Sequence, residues 1–378
     1  MTQFDVIILG AGAMGSAAAW SLAQRGKRVL VLEKFGPQHD RGSSHGVTRI
    51  TRKAYFEHPD YVPLVEAANH IWRRLEEGAK TSLLRRTGLL LIGAKEGAIL
   101  SGARRAQQQF GWRIEEIGGA EIAARFSQFR VPPGSEAIFE PDAGYLRVEE
   151  SLVAFQEQAK AGGAQFHWQE PVRSWRQRAD GVEVVTDVQR YHAAKLVVCA
   201  GSWSQALLAD LNVELVVLRQ PQFWFSIPQG SFDVDRGSPI FGYEISGRFF
   251  YGFPCVDGET IKVAEHLRRE VVANPEQVNR EVSAEDGAEV SAFVKQYLSI
   301  EVPAPVRTSV CLYTMTRDEH FIVDRHPEFR CVCFAAGFSG HGFKFAPLIG
   351  EMLAGLTMDE NVAVPEMWRL NRAGLQKM

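Results

Sequence analysis

What the chain lacks narrows its possibilities before any motif is considered. It has no run of about eighteen consecutive apolar residues, so no membrane-spanning helix is expected. Residues 4–23 are largely apolar, but no basic segment precedes them and their glycines follow a different pattern. They are therefore not read as a secretory signal, and a cytoplasmic location is expected. Neither sign of charge dominates: 42 Lys and Arg oppose 45 Asp and Glu. The formal net charge of −3 gives no general reason to expect nucleic acid or a membrane as partner. Cysteine is scarce, with five residues in 378, an odd number without disulfide-framework spacing. Cys331-Val332-Cys333 is too tight for a zinc pair, so reduced thiols and no metal are expected.

What is present starts with Phe4 to Leu9, a short apolar run free of Pro and Gly that has the pattern of a strand buried on both faces. Gly10-Ala11-Gly12-Ala13-Met14-Gly15 follows, then helix formers from Ser16 to Arg25, Gly26 as a stop, and a second strand from Arg28 to Leu32. In a dinucleotide site Gly10 permits the tight turn, Gly12 lets a pyrophosphate approach the backbone, and Gly15 lets the helix pack on the strand. The helix N-terminus then faces the phosphates with free N–H groups. Glu33, roughly twenty residues beyond the glycines, is placed to accept from a ribose 2′-hydroxyl and to repel a 2′-phosphate, which disfavours NADP.

The remaining pattern implies a mixed architecture. The segment from Phe35 to Tyr55 has the character of a loop rich in cations (Arg41, His45, Arg49, Arg52, Lys53), either a solvated basic loop or an anion site beside the cofactor. Helices are expected over Val62 to Glu77, Ala120 to Phe126 and Val148 to Ala161, and a hairpin around Asp180-Gly181. Leu196 to Cys199 followed by Ala200-Gly201-Ser202, and Cys331 to Ala336 followed by a glycine-rich turn with Gly340 and Gly342, repeat the opening strand, glycine and helix pattern. These three junctions are expected to meet at the carboxyl edge of one parallel sheet. Between them, aromatic strands from Val213 to Ala264 suggest a large antiparallel sheet.

With these residues the chain resembles the monomeric sarcosine oxidase and N-methyltryptophan oxidase family of FAD-dependent amine oxidases. The likeness is carried by Gly10 to Glu33, His45 to Arg52, Tyr251-Gly252-Phe253-Pro254 with Lys262 and His266, Cys311 to Thr314, Asp318 to Phe321, and Gly337 to Lys344. It covers nearly the whole chain. The resemblance implies FAD bonded covalently to Cys311, a lysine near the flavin in Lys262 that assists oxygen, and a substrate carboxylate held by Arg52 and Lys344. It places His45, Arg49 and Thr48 along the flavin and its pocket, Tyr251 and Tyr313 as aromatic walls, and His266 facing the ligand. Glu33 and the backbone of Val172 would serve the adenine end, and Gly201, Gly340 and Gly342 would border the cofactor. Ser44, Val47 and Glu265 depart from residues common in the family, which puts the substrate in question.

The expected fold is α/β (α+β overall), a Rossmann-like FAD-binding domain of residues 1–80, 145–212 and 322–378 with a substrate domain of residues 81–144 and 213–321 built on a mainly antiparallel sheet. The expected activity is oxidation of a small secondary amino acid such as sarcosine, with oxygen as acceptor and hydrogen peroxide as product. The alternatives are an amine or cyclic imino-acid dehydrogenase using another acceptor, and a flavin-binding protein without turnover. Oligomeric state is not legible in the sequence; the resemblance implies a monomer.

Overall fold

The computed structural model describes residues 4–268, 270–300 and 304–375. Three sheets organise it. The first has eight strands, in the order Val172–Arg178, Gly181–Thr186, Arg190–Val198, Phe4–Leu9, Val29–Leu32 and Gln165–His167, with Val332–Ala336 beside Arg190–Val198 and Ile322–Arg325 beside Val332–Ala336. Phe4–Leu9 pairs in parallel with Val29–Leu32 and with Arg190–Val198, which pairs in parallel with Val332–Ala336. The three glycine turns therefore do leave one sheet edge, as the repeated pattern implied. Val29–Leu32 is buried throughout, as a strand covered on both faces must be.

Helix Ala13–Gln24 packs between Val148–Ala161 and Ala346–Thr357. Small residues allow the close approach: a Cβ on Gly350 would come within 2.6 Å of the Ala17 backbone. The hairpin Val172–Arg178 to Gly181–Thr186 turns at Asp180-Gly181 as expected.

The second sheet has nine strands and is antiparallel except where Ile240–Ile245 runs parallel to Leu89–Ala94. Val216–Ser226 lies between Arg307–Met315 and Thr260–His266 and forms the centre of the functional face. A third, three-stranded sheet consists of Thr48–Thr51, Gly144–Arg147 and Leu84–Arg86. Here the expectation of a loop from Phe35 to Tyr55 is corrected: Thr48–Thr51 is a strand, too short and too polar to show as one by pattern. The helix expected from Trp203 is only a short turn, Ser204–Leu207. Helix Ala98–Phe110, bounded by Gly97 and Gly111, was not anticipated, although Ile99, Leu100, Ala103 and Ala106 have helical spacing and are all buried.

Candidate active site

A single elongated cavity joins the parallel sheet to the large sheet. Its lining includes Gly10, Gly12, Glu33, Val172 and Gly201 on the first, and Tyr251, His266, Cys311 and Tyr313 on the second. Arg49, Arg52, Glu57, Gly340, Gly342 and Lys344 complete the walls.

At the parallel sheet the glycines do what their spacing requires. Gly10 has φ +97°, and a Cβ there would press on the Cys199 carbonyl; a Cβ on Gly15 would run into the Gly10 carbonyl. Helix Ala13–Gln24 begins at Gly12 with no capping side chain on its N-cap, which leaves an N-terminus suited to phosphate. Glu33 accepts from Ala11 N–H at 2.8 Å and from Phe35 N–H at 2.9 Å. Burial would raise its pKa, but His39 and these N–H donors outweigh it and keep the carboxylate ionised. A helix N-terminus with no capping side chain on Gly12, a close-packed glycine turn and an ionised acid on one cavity fit the pyrophosphate and ribose of FAD. Ser44 belongs to this end too, since its Oγ accepts from Ala13 N–H at 3.1 Å.

At the large sheet, register decides which side chains share a face. Cys311 pairs with Gln220, Tyr313 with Leu218, Lys262 with Trp224 and Tyr251 with Ala264. Directly paired residues point the same way and residues two apart repeat the direction, so Tyr251, Lys262, His266, Cys311 and Tyr313 lie on one face. Lys262 and His266 stand roughly 13 Å apart along the strand, at about 3.4 Å per residue. Glu265 points to the opposite face, where Arg248 Nε and Nη2 each donate to it at 2.7 Å. It therefore does not shape the pocket.

Two cations converge on this end. Arg52 Nη2 donates to both Glu57 oxygens at 2.6 and 2.9 Å, Nη1 donates to Ala54 O at 2.5 Å, and the guanidinium lies 4.2 Å from the Phe56 ring. Lys344 Nζ donates to His341 O at 2.7 Å and Tyr55 Oη at 3.3 Å, while Tyr55 Oη lies 2.6 Å from His341 Nδ1. Burial, with Arg52 nearby, brings Lys344 down to about 7. Burial would raise the Glu57 pKa, but Arg52 and its other cationic neighbours hold it at about 2. His266 falls to about 4 through burial and is neutral, with Nδ1 3.3 Å from Tyr313 Oη.

Arg49 Nη2 lies 3.5 Å from Cys311 Sγ and donates to Ser43 O at 2.9 Å, so a cation sits beside the buried thiol. His45, Thr48 and Lys262 are buried behind the cavity wall rather than lining it, and Gly15 packs beneath it. His45 Nε2 approaches Gly42 O at 3.2 Å, and burial together with Arg49 lowers its pKa to about 3. Lys262 Nζ donates to Gly46 O and Thr48 O at 2.7 Å each and lies 4.3 Å from the Phe253 ring.

The sequence did not single out Tyr55, Glu57, Glu140, Glu149 or His341. Glu57 had a local signal, standing five residues from Arg52 just beyond the cation-rich segment. Glu140, which accepts from Lys53 and Ala54 N–H at 2.8 Å each, had none. No cluster of three or more metal-binding side chains occurs among the described residues, and no helix there is long and apolar enough to cross a membrane.

A glycine-turn dinucleotide site that opens onto a pocket of buried cations and aromatics defines a flavin-dependent oxidoreductase. The FAD dependent oxidoreductase family matches residues 5–356, and the chain belongs to that family. It is 37% identical to a monomeric sarcosine oxidase of Streptomyces avermitilis over 96% of this chain and 95% of the relative. It is 32% identical to an N-methyl-L-tryptophan oxidase of Salmonella agona over 93% and 94% of the two chains. Among solved structures, the open form of a Tyr258Phe mutant of NikD, described as an unusual amino acid oxidase essential for nikkomycin biosynthesis, superposes with a TM-score of 0.88 at 26% identity, covering 97% of each chain.

Proposed function

We propose that the protein oxidises a small secondary amino acid, with sarcosine the first candidate, and passes the electrons to oxygen to give hydrogen peroxide. The observation that carries this is the convergence of Arg52 and Lys344 on a pocket walled by Tyr251, His266 and Tyr313. A carboxylate entering there meets the guanidinium of Arg52, whose Nη2 is already paired with Glu57, and the amine of Lys344, both desolvated. The aromatic walls leave an apolar space for the carbon next to the amine nitrogen. Neutral His266 can accept a hydrogen bond from the amine N–H, whose nitrogen must be uncharged to react. FAD, held by the glycine turn and Glu33, would supply the two-electron acceptor for the hydrogen on that carbon. The resulting imine hydrolyses to an aldehyde and an amine.

Cys311 is proposed as the covalent attachment point, supported by its position on the cavity wall, with Arg49 Nη2 3.5 Å from its Sγ. Lys262 is proposed to favour the negative charge that develops on oxygen, from the far end of the same face. Residues 1–80, 145–212 and 322–378 are proposed as the FAD-binding domain and residues 81–144 and 213–321 as the substrate domain, supported by how these segments distribute over the two large sheets.

The test is peroxide release over a panel of sarcosine, other N-methyl amino acids, proline and pipecolate. Peroxide from sarcosine at a rate matching flavin turnover supports the reading. Flavin reduction without peroxide would replace oxygen with another acceptor. No reduction by any member of the panel would refute the substrate class.

A further inference from the structure

The turn that holds Lys262 is strained, and one carboxylate fixes it. Val47 has φ +70°, a left-handed conformation that a β-branched residue rarely adopts. A Cβ on Gly46, at φ +93°, would run into Gln222 Oε1, which has no hydrogen-bond partner among the described residues. Such a geometry persists only where its surroundings over-determine it. Here the surroundings are the first turn of helix Val148–Ala161. Glu149 Oε1 accepts from Gly46 N–H at 2.7 Å, Glu149 Oε2 accepts from Val47 N–H at 3.0 Å, and Val148 N–H donates to Val47 O at 2.8 Å. The same turn sends the Gly46 and Thr48 carbonyls to Lys262 Nζ, taking two of its three donors and fixing where the third can point.

We propose that Glu149 is the positioning residue of Lys262: by gripping the Gly46 and Val47 N–H groups it fixes the turn whose carbonyls hold the ammonium in place. The proposal rests on the oxygen-side role given to Lys262 above. It separates two parts of the site. Glu149 acts on the lysine side and touches neither Arg52 nor Lys344, so the oxygen reaction depends on it and substrate binding does not.

Glu149 has a second effect through charge. Burial is the largest influence lowering the Lys262 pKa, and the charged or titratable groups facing it are Arg49, Glu149, Cys311 and Arg307. The two arginines disfavour the ammonium; Glu149 is the carboxylate in that set and favours it.

The experiment reduces the holoenzyme photochemically, without any amine, and mixes it with oxygen in a stopped-flow instrument. Parent, K262M, E149A, E149Q and V47G/E149A are compared, and reduction by sarcosine is measured separately. E149A should reoxidise about tenfold more slowly or worse, the scale of losing a charge-assisted hydrogen bond. Its reduction by substrate should stay within about twofold, because uniform damage would lower both steps. Glycine adopts the φ of Val47 without penalty, so V47G/E149A should regain part of the oxygen rate and a higher thermal midpoint than E149A. In E149Q the pH at which reoxidation slows should move down, a shift that a purely structural role would not produce. E149A and E149Q reoxidising at the parent rate while K262M is slow would overturn the proposal alone. K262M reoxidising at the parent rate would instead refute the reading of Lys262, and this inference with it.

Discussion

Lys344 offers the sharpest test of the carboxylate clamp, because its charge is set to change within an accessible pH range. Burial and Arg52 bring its pKa to about 7, with Glu57 opposing them. A bound carboxylate supplies a second negative neighbour and raises that pKa, so binding draws a proton onto the lysine above pH 7. At pH 7 about half of the free sites are charged, and at pH 9 about one in a hundred. Affinity for a carboxylate should therefore fall by about 50-fold between these values, or about 2.3 kcal/mol at 1.36 kcal/mol per unit. The fall levels off once binding to Arg52 with a neutral lysine becomes comparable, which one lost charge-assisted bond sets at about 10- to 150-fold weaker.

The assay is spectral titration of the bound flavin with acetate or glycolate, which lack the amine whose own titration would confuse a substrate profile. Lys344→Met should bind more weakly at pH 7 and show no slope from pH 7 to 9. The same group affects stability with a definite sign. Its folded pKa lies below the unfolded value of about 10.4, so the unfolded chain binds more protons between pH 7 and about 10. Its contribution to stability therefore rises with pH across that window, and Lys344→Met should remove the rise. A flat affinity profile in the parent, or the same slope in Lys344→Met, would refute the assignment.

The remaining predictions address the other groups one at a time. Acid-precipitated and washed protein should stay yellow, and Cys311→Ser should release its colour to the supernatant; colour retained in the variant would remove the covalent link. Lys262→Met should slow reoxidation of reduced enzyme by about tenfold or more while leaving reduction by substrate nearly unchanged, as stopped-flow traces would show. Arg52→Ala should lose about 10- to 150-fold in kcat/KM on sarcosine and little on amines without a carboxylate. Equal losses on both substrate types would mean that Arg52 supports the pocket rather than holding the substrate.

The parts of this fold that follow a short-range code were legible. The turn from Gly10 to Gly15, the acid at Glu33, the hairpin at Asp180-Gly181 and helix Val148–Ala161 all declare themselves within a few residues, because turn chemistry and periodicity are local. The common face of Tyr251, Lys262, His266, Cys311 and Tyr313 was legible only in part. Alternation along one strand can pair Lys262 with His266, but the other members depend on the register of four strands, which no local pattern states. The carboxylates were the hardest. Glu57 could have been suspected from its distance to Arg52, whereas Glu140 and Glu149 look like ordinary solvated acids at a strand end and a helix start.

Those two carboxylates explain how a short strand, Thr48–Thr51, forms inside the cation-rich loop. Thr48–Thr51 pairs antiparallel with Gly144–Arg147, Thr48 opposite Arg147 and Thr51 opposite Gly144. At one end Glu149 holds the N–H groups of Gly46 and Val47; at the other Glu140 holds those of Lys53 and Ala54. A four-residue polar strand has little packing to define its register, so fixing both ends supplies what its side chains cannot. Burial raises Glu140 to about 7, against the pull of its two N–H donors, so this end is held by a group that is costly to bury. The strand needs that fixation because it delivers Arg49 beside Cys311, Arg52 to the substrate pocket and the Thr48 carbonyl to Lys262. Glu149 holds the end that carries the Thr48 carbonyl and Glu140 the end that leads to Arg52, so losing Glu149 loosens the oxygen-side lysine while the clamp keeps its own anchor.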